Sequence, residues 1–163
     1  AEYPGPIHHA PGMVVDRPAV DHRITYWLAF KQHIEGVSYW AVSQWPEGWD
    51  KWNGGVEPWP TNPRVPFPYS GQHNGNGFLC YPGSDGMPWP SIRLKCMRDG
   101  LEDYDYLWLL RQLAGNSPST AVRDLLDIPA ELAMGLRYYN KDPLALLRIR
   151  GQVAQQIAAL SRD

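Results

Sequence analysis

The stretch VSYWAVSQW, residues 37–45, decides the fold class of this 163-residue chain. It has no charged residue and is rich in β-branched and aromatic side chains, which is typical of a strand buried on both faces. A helix is predicted immediately before it, with Asp21 as the N-cap and Gly36 as the stop. The apolar residues of this helix follow helical spacing: Ile24, Trp27, Leu28 and Ile34.

Beyond this strand the chain divides into two unlike parts. Residues 46–90 hold nine prolines and eight glycines, which predicts a long irregular loop with a short second strand at residues 77–81. Helices are predicted after it over residues 91–113, 120–126 and 143–160, the last with Asp142 as its N-cap. The expected apolar stripe of the first of these helices consists of Leu94, Met97, Leu101 and Tyr104.

A helix–strand–loop–strand–helix unit followed by further helices is the pattern of one arc of an α/β barrel. A whole barrel needs eight strands and ~200 residues or more, so the predicted fold class is α/β, a portion of a (β/α)8 TIM-type barrel. We expect an extended, proline-rich lead-in over residues 1–20 and the partial barrel segment over residues 21–163. Because an uncovered strand edge invites pairing, we expect either a partner that covers residues 37–45 or a rearranged packing that is not a barrel.

Charge and composition exclude several classes of protein and site. With 15 basic and 17 acidic side chains, the chain has no basic surface for nucleic acid and no polybasic membrane patch. No apolar run reaches the ~20 residues that span a bilayer, and residues 1–12 are not expected to act as a secretory signal. Cys80 and Cys96 are expected to be free thiols. The five histidines lack the spacing of metal ligands, so neither a metal site nor a cofactor is predicted.

Tryptophan and tyrosine are abundant, with eight and nine residues against three phenylalanines. These rings combine an apolar body with a polar edge, which suits a sugar face and equally suits a loop-rich core. Trp45 ends the predicted strand, where α/β barrels place their chemistry, and is either a stacking residue or a plug of the barrel end. Trp40 points to the opposite side of the strand and is the weaker stacking candidate.

Polar residues near the two strand ends supply further candidates. Glu47 and Asp50 could form a carboxylate pair for glycoside cleavage, or are solvated acids on a loop that also carries the stacking candidate Trp49. Asn76 and Tyr81 flank the second strand and could hydrogen-bond a ligand, although the glycines beside them also suit simple turns.

The string RLKCMRDGLEDYDY, residues 93–106, combines acidic and basic side chains on one helix. Arg98 and Glu102 form an i, i+4 pair, which favours a solvated, paired face over a metal or substrate site. Arg93 lies nearer the loop and is the better candidate for a buried structural ion pair. Asp103 is assigned to the same structural ion pairs.

Seven short strings, taken in order, resemble one known family. They are VDRP (15–18), DHRI (21–24), GVSYW (36–40), GNG (75–77), YPG (81–83), SIRL (91–94) and RDGLEDYDYL (98–107). Together they closely resemble the C-terminal part of the catalytic domain of family 123 glycoside hydrolases, a bacterial domain, across residues 14–160. The resemblance implies a (β/α)8 barrel whose last two strands are residues 37–44 and 77–81.

The resemblance also implies a chemistry and a location. Characterised members of that family remove terminal N-acetylgalactosamine with the substrate's own acetamide oxygen as the nucleophile, an exception to the two-carboxylate scheme. An adjacent Asp-Glu pair on an earlier strand orients the acetamide and donates the proton. This chain has no matching pair, since Glu102-Asp103 has the reverse order and lies on a predicted helix. What transfers is a carbohydrate ligand, a location outside the cytoplasm, and a sugar-binding wall made of Trp45, Tyr39 and Tyr81.

Three functional hypotheses remain open at this point. The leading one is a glycoside hydrolase segment that acts on or binds N-acetylhexosamine-type or other glycans without its own catalytic pair. A non-catalytic carbohydrate-binding module would use the loop tryptophans as a stacking platform: Trp45, Trp49, Trp52 and Trp59. In a structural or interaction domain, the aromatic side chains would only fill a core and pack against an upstream barrel segment or a second copy of the chain.

Overall fold

The structure, a computed structural model, describes residues 10–43, 75, 77, 79–83 and 87–162. The described residues form four helices: α1 (Ala19–Lys31), α2 (Ile92–Ala114), α3 (Thr120–Leu126) and α4 (Pro143–Leu160). They also form four short strands: β1 (Cys80–Pro82), β2 (Pro88–Pro90), β3 (Ala133–Gly135) and β4 (Tyr138–Tyr139).

Three of the four helices in the described residues begin at side-chain caps, and the cap at Asp142 confirms the prediction for α4. The Ser91 hydroxyl accepts a hydrogen bond from the Leu94 amide at the start of α2, and the Asp142 carboxylate accepts one from the Leu144 amide at the start of α4. Ser119 does the same for α3. Each cap satisfies a backbone amide that has no partner within its own helix. Helix α2 ends at Gly115, which takes a φ of 59° that suits glycine.

Helix α1 differs from the prediction at both ends. It begins at Ala19, after Pro18, so Asp21 is a buried first-turn residue and the prediction of Asp21 as N-cap is wrong. It ends at Lys31, well before Gly36, because His33 takes a φ of 56° and the Ile34 amide turns back to the Ala29 carbonyl at 2.8 Å. The side chain of Lys31 donates to two backbone carbonyls just after α3, which ties the two helix ends together.

The predicted strand over residues 37–45 is not a buried strand in its described part. Val37, Trp40 and Val42 are all exposed, and residues 44 and 45 lie outside the described residues. The Val42 carbonyl accepts hydrogen bonds from the amides of Leu79 and Cys80, at 2.7 and 3.1 Å. A fully buried strand needs sheet neighbours and covered faces on both sides. A partner that covers this segment stays a prediction.

The second predicted strand is shorter than expected and pairs differently. Strand β1 lies antiparallel to β2, with Tyr81 opposite Trp89, and β3 and β4 form a second antiparallel pair that the sequence did not predict. The mixture of helices and small sheets is compatible with the α/β class. Both of these two-stranded sheets are antiparallel, so a portion of a (β/α)8 barrel is not confirmed and stays a prediction.

The hydrophobic core lies between the helices and the turn that follows α3. Helices α1 and α2 pack most extensively, and α4 packs on α2. The buried face of α2 carries Gly100, Asp103, Leu107 and Leu110, not the predicted stripe, and Leu101 of that stripe is exposed. No described helix has both the length and the apolar character needed to cross a membrane. The core residues are Val20, Ile24, Trp27, Leu28, Phe30, Leu107, Leu110, Val122, Leu125, Ile128, Leu132, Ala133, Leu146, Ile149 and Val153.

Candidate functional site

Several predicted binding residues meet where residues 37–43 approach residues 75–83. We call this group the turn cluster: Tyr39, Trp40, Gly75, Gly77, Tyr81 and Arg93. The Gly77 amide donates a hydrogen bond of 2.9 Å to the Tyr39 hydroxyl. Gly77 has a φ of 84°, and a Cβ atom at this position would clash with the indole ring of Trp40. Glycine is therefore required here both by the backbone and by the ring that lies over it.

Arg93 holds the other side of the turn cluster. Its guanidinium, on a side chain whose residue is only 2% exposed, donates from Nη1 to the carbonyls of Met13 and Gly75, at 2.7 and 2.6 Å. Its Nη2 lies 3.5 Å from the Tyr81 hydroxyl. Gly75 has a φ of 73°, and a Cβ atom there would lie 2.7 Å from Nη1. These described partners are carbonyls and a hydroxyl, so an ion pair of Arg93 stays a prediction.

The turn cluster presents aromatic surface to solvent. Trp40 is 58% exposed, while Tyr39 and Tyr81 are half-buried. The segment that carries Trp40 is not a regular strand among the described residues, and its ring lies over Gly77. Whether Trp40 and Trp45 lie on opposite sides stays a prediction, since Trp45 is outside the described residues. The signal that was missed is the Gly75-Asn-Gly77 motif itself, since two glycines leave room for a bulky ring to approach the backbone.

Several sequence candidates lie outside the described residues. They are the predicted stacking residues and ligand donors Trp45, Trp49 and Asn76, the carboxylates Glu47 and Asp50, and the platform residues Trp52 and Trp59. Their roles stay predictions. Among the described residues, no group of three or more His, Cys, Asp or Glu side chains could hold a metal ion.

Two polar side chains in the first turn of α1, Asp21 and His22, are buried. The Asp21 carboxylate and the Tyr139 hydroxyl are buried near each other, and neither makes a well-formed hydrogen bond among the described residues. The nearest cation to Asp21 is Arg17, whose Nη1 lies 3.9 Å from the carboxylate. Burial and the neighbouring Asp21 raise the pKa of Tyr139. The His22 ring is also buried, and its Nδ1 is 2.9 Å from the Gly12 carbonyl. Burial lowers the pKa of His22, with a further lowering from the positive charge of Arg93.

His22 makes the stability of the protein depend on pH. The pKa of His22 is lower in the folded than in the unfolded chain. As the pH falls below the ordinary histidine pKa of ~6.5, the unfolded chain therefore takes up the proton first, and acid favours unfolding. The contribution of His22 is therefore complete above that pH and is lost as the pH falls through the folded value. The free energy of unfolding, measured in urea from pH 8 to pH 5, should decrease less in His22→Asn than in the parent. In His33→Asn, at an exposed position, it should decrease as much as in the parent. Identical pH profiles of His22→Asn and the parent would contradict this assignment.

A second buried group joins three helices around one carboxylate. Asp103 of α2 is fully buried and accepts hydrogen bonds from Arg23 of α1 at 2.6 and 2.8 Å and from the indole Nε1 of Trp27 at 2.8 Å. Arg150 of α4 adds a fourth bond at 2.7 Å. We call this group the Asp103 network: Asp103, Arg23, Trp27 and Arg150. Since these four bonds link α1 and α4 to a fully buried carboxylate of α2, Asp103 serves the packing of the helices.

The outer face of α2 is a paired, solvated surface. The Arg98 guanidinium is 3.5 Å from the Glu102 carboxylate and 2.7 Å from that of Asp99, and all three groups reach solvent. Such exposed pairs contribute little to stability. Cys80 and Cys96 are not joined by a disulfide, and burial raises the pKa of Cys96.

One family of known proteins matches the chain. The model of the glycoside hydrolase 123 catalytic domain matches residues 3–110. The chain belongs to this family. The family 123 match contains α1, the whole turn cluster and most of α2, whereas α3 and α4 follow it. No curated protein matches the chain. Membership of family 123 supports a function related to glycoside hydrolysis and a carbohydrate ligand.

Proposed function

We propose that this chain supplies a sugar-binding wall of a family 123 catalytic domain, and that this wall is the turn cluster. The observation that carries the proposal is the convergence of Tyr39, Tyr81 and the exposed Trp40 on one glycine turn. The apolar C–H face of a pyranose stacks on an aromatic ring, and nearby hydroxyl groups fix its orientation. The proposed ligand is a glycan that contains N-acetylhexosamine, because the resemblance of the chain to family 123 implies that sugar.

The charged groups of the described residues favour binding over hydrolysis. The fully buried carboxylate of α2, Asp103, is engaged by two arginines and a tryptophan, so it is not free to donate a proton to a glycosidic oxygen. No adjacent Asp-Glu dipeptide occurs anywhere in the 163 residues. The described part of the turn cluster contributes tyrosine hydroxyls and a cation. The catalytic carboxylates of the domain would therefore come from elsewhere.

Two tryptophans of similar exposure provide a matched test of binding. Trp40 is 58% exposed in the turn cluster and Trp108 is 51% exposed on α2. Trp40→Ala is expected to weaken binding of methyl N-acetylgalactosaminide by about tenfold, which corresponds to the ~1.4 kcal/mol of one stacking contact. Trp108→Ala should bind as the parent does. Isothermal titration calorimetry of the three proteins measures the difference.

Equal weakening in both variants, or none in Trp40→Ala, would place the sugar elsewhere. A chromogenic N-acetylgalactosaminide incubated with the same protein should release no chromophore above the blank. Release that persists through purification and disappears in Glu47→Gln or Asp50→Asn would show instead that this chain carries its own catalytic carboxylates.

A further inference from the structure

We propose that Arg93 is a positioning residue that holds the turn cluster in its sugar-binding shape. The inference rests on the proposed function, since it assigns a role to a residue that is too deeply buried to form the aromatic surface itself. Arg93 is 2% exposed, whereas Trp40 beside it is 58% exposed. The role is to fix backbone and side-chain groups around the ligand.

The described hydrogen bonds of Arg93 reach three separate segments of the chain. Met13 precedes α1, Gly75 belongs to the turn, and Tyr81 lies in β1. A guanidinium is a planar fork with five N–H donors, so one side chain can engage several acceptors in fixed directions. A lysine has a single nitrogen on a flexible stem and cannot reproduce this geometry. Replacement by lysine should therefore preserve the charge and lose the fixed arrangement.

Two hydrogen bonds hold the turn from opposite ends. Arg93 binds the Gly75 carbonyl at 2.6 Å, and the Tyr39 hydroxyl accepts from the Gly77 amide at 2.9 Å. Both glycines have positive φ values, 73° and 84°, which glycine reaches without steric cost but does not prefer. The turn therefore depends on its external bonds for one conformation. Loss of the Arg93 bond releases the Gly75 end and, through the shared backbone, loosens the Gly77 amide against Tyr39 and Trp40.

Arg93 takes its own position from a rigid element. It lies in the first turn of α2, directly after the Ser91 cap, and the Ser91 amide donates to the Leu79 carbonyl at 2.9 Å. A functional site is most accurately placed by side chains on helices or strands that packing already fixes. The turn cluster is thus attached to the helical core through the start of α2.

Arg93→Lys tests this role, and Arg23→Lys is its matched control. Both replace a largely buried arginine, but Arg23 belongs to the Asp103 network. Both variants should lose stability. At a temperature where both are fully folded, Arg93→Lys should bind methyl N-acetylgalactosaminide at least tenfold more weakly, and Arg23→Lys should retain the parent's affinity. Gly75→Ala should weaken binding as well, because its Cβ would lie 2.6 Å from Val15 Cγ2 and 2.7 Å from Arg93 Nη1 and would disturb the contact between the guanidinium and the turn.

Amide hydrogen exchange separates this inference from the proposed function. The Gly77 amide, which donates to Tyr39, should exchange faster in Arg93→Lys than in the parent, while amides in the middle of α2 stay equally protected. An unchanged Gly77 rate, or parent-like sugar affinity in folded Arg93→Lys and Gly75→Ala, overturns the positioning role. If the parent binds no glycan, the proposed function is wrong and so is the ligand role of Arg93, whatever the exchange rates.

Discussion

Replacing Asp103 with alanine is expected to lower the free energy of unfolding by about 3 kcal/mol. The carboxylate is fully buried and is the common acceptor for Arg23, Trp27 and Arg150. Its removal leaves two cations and an indole N–H without their acceptor at the junction of α1, α2 and α4. The loss lies at the lower end of the range for broken buried pairs because both arginine side chains keep some contact with water. The midpoint temperature of thermal unfolding should decrease by about 6–12 °C for a chain of this size.

An exposed ion pair provides the control for this experiment. The carboxylate of Glu131 makes two hydrogen bonds to the guanidinium of Arg148, with both side chains half exposed. Glu131→Gln should leave the unfolding midpoint in urea unchanged, since solvent competes for both partners. The account of the Asp103 network would be wrong if Asp103→Ala and Glu131→Gln had the same midpoint.

The second large effect concerns the contact between α1 and α2 at Gly100. A Cβ atom on Gly100 would lie 2.8 Å from the Arg23 carbonyl and would clash with the Tyr26 ring. Gly100→Ala therefore forces the two helix backbones apart, whereas Gly151→Ala on α4 adds a methyl group with no atom within 4 Å. Both substitutions remove a helical glycine and gain the same intrinsic helix propensity. The difference between the two free energies of unfolding is the cost of overpacking, about 1–3 kcal/mol.

The sign of each change makes the comparison decisive. Gly151→Ala should raise the free energy of unfolding by up to about 1 kcal/mol. The free energy of unfolding of Gly100→Ala should be lower than that of Gly151→Ala by the overpacking cost. Guanidinium unfolding of both variants beside the parent gives the two values. Equal stabilisation in both would mean that α1 and α2 do not approach as closely as the structure has it.

Features that depend on local chemistry were predictable from the sequence. The starts of α2, α3 and α4 follow from the caps at Ser91, Ser119 and Asp142, which act within three residues along the chain. The start of α1 was missed because Asp21 looks like a cap and is instead a buried group beside Tyr139, 118 positions further along the chain. Its environment is made by tertiary packing, which no local pattern reports.

The strand over residues 37–45 shows the same limit for sheets. Its composition indicates a buried strand, but burial of a strand is a property of its neighbours. In the described residues Val42 has backbone bonds to residues 79–80, and Trp40 is exposed. The apolar pattern therefore identified a segment suited to a sheet without determining the sheet that forms.

The candidate site was predictable in part. Tyr39 and Tyr81 were named from a family resemblance, and both reach the turn between Gly75 and Gly77. The partners of Arg93 and of Asp103 were not predictable, because they are backbone carbonyls or side chains far away along the chain. The i, i+4 pair of Arg98 and Glu102 could be read from spacing since both residues lie on one helix.

The central claim is that the turn cluster binds a sugar. The most direct measurement is a map of backbone amide chemical shifts of the full chain, labelled with nitrogen-15, during titration with methyl N-acetylgalactosaminide. The account predicts saturable shifts that are largest at Tyr39, Trp40, Gly75, Gly77 and Tyr81. Shifts centred on Trp108 and the outer face of α2, or none up to millimolar sugar, would contradict it.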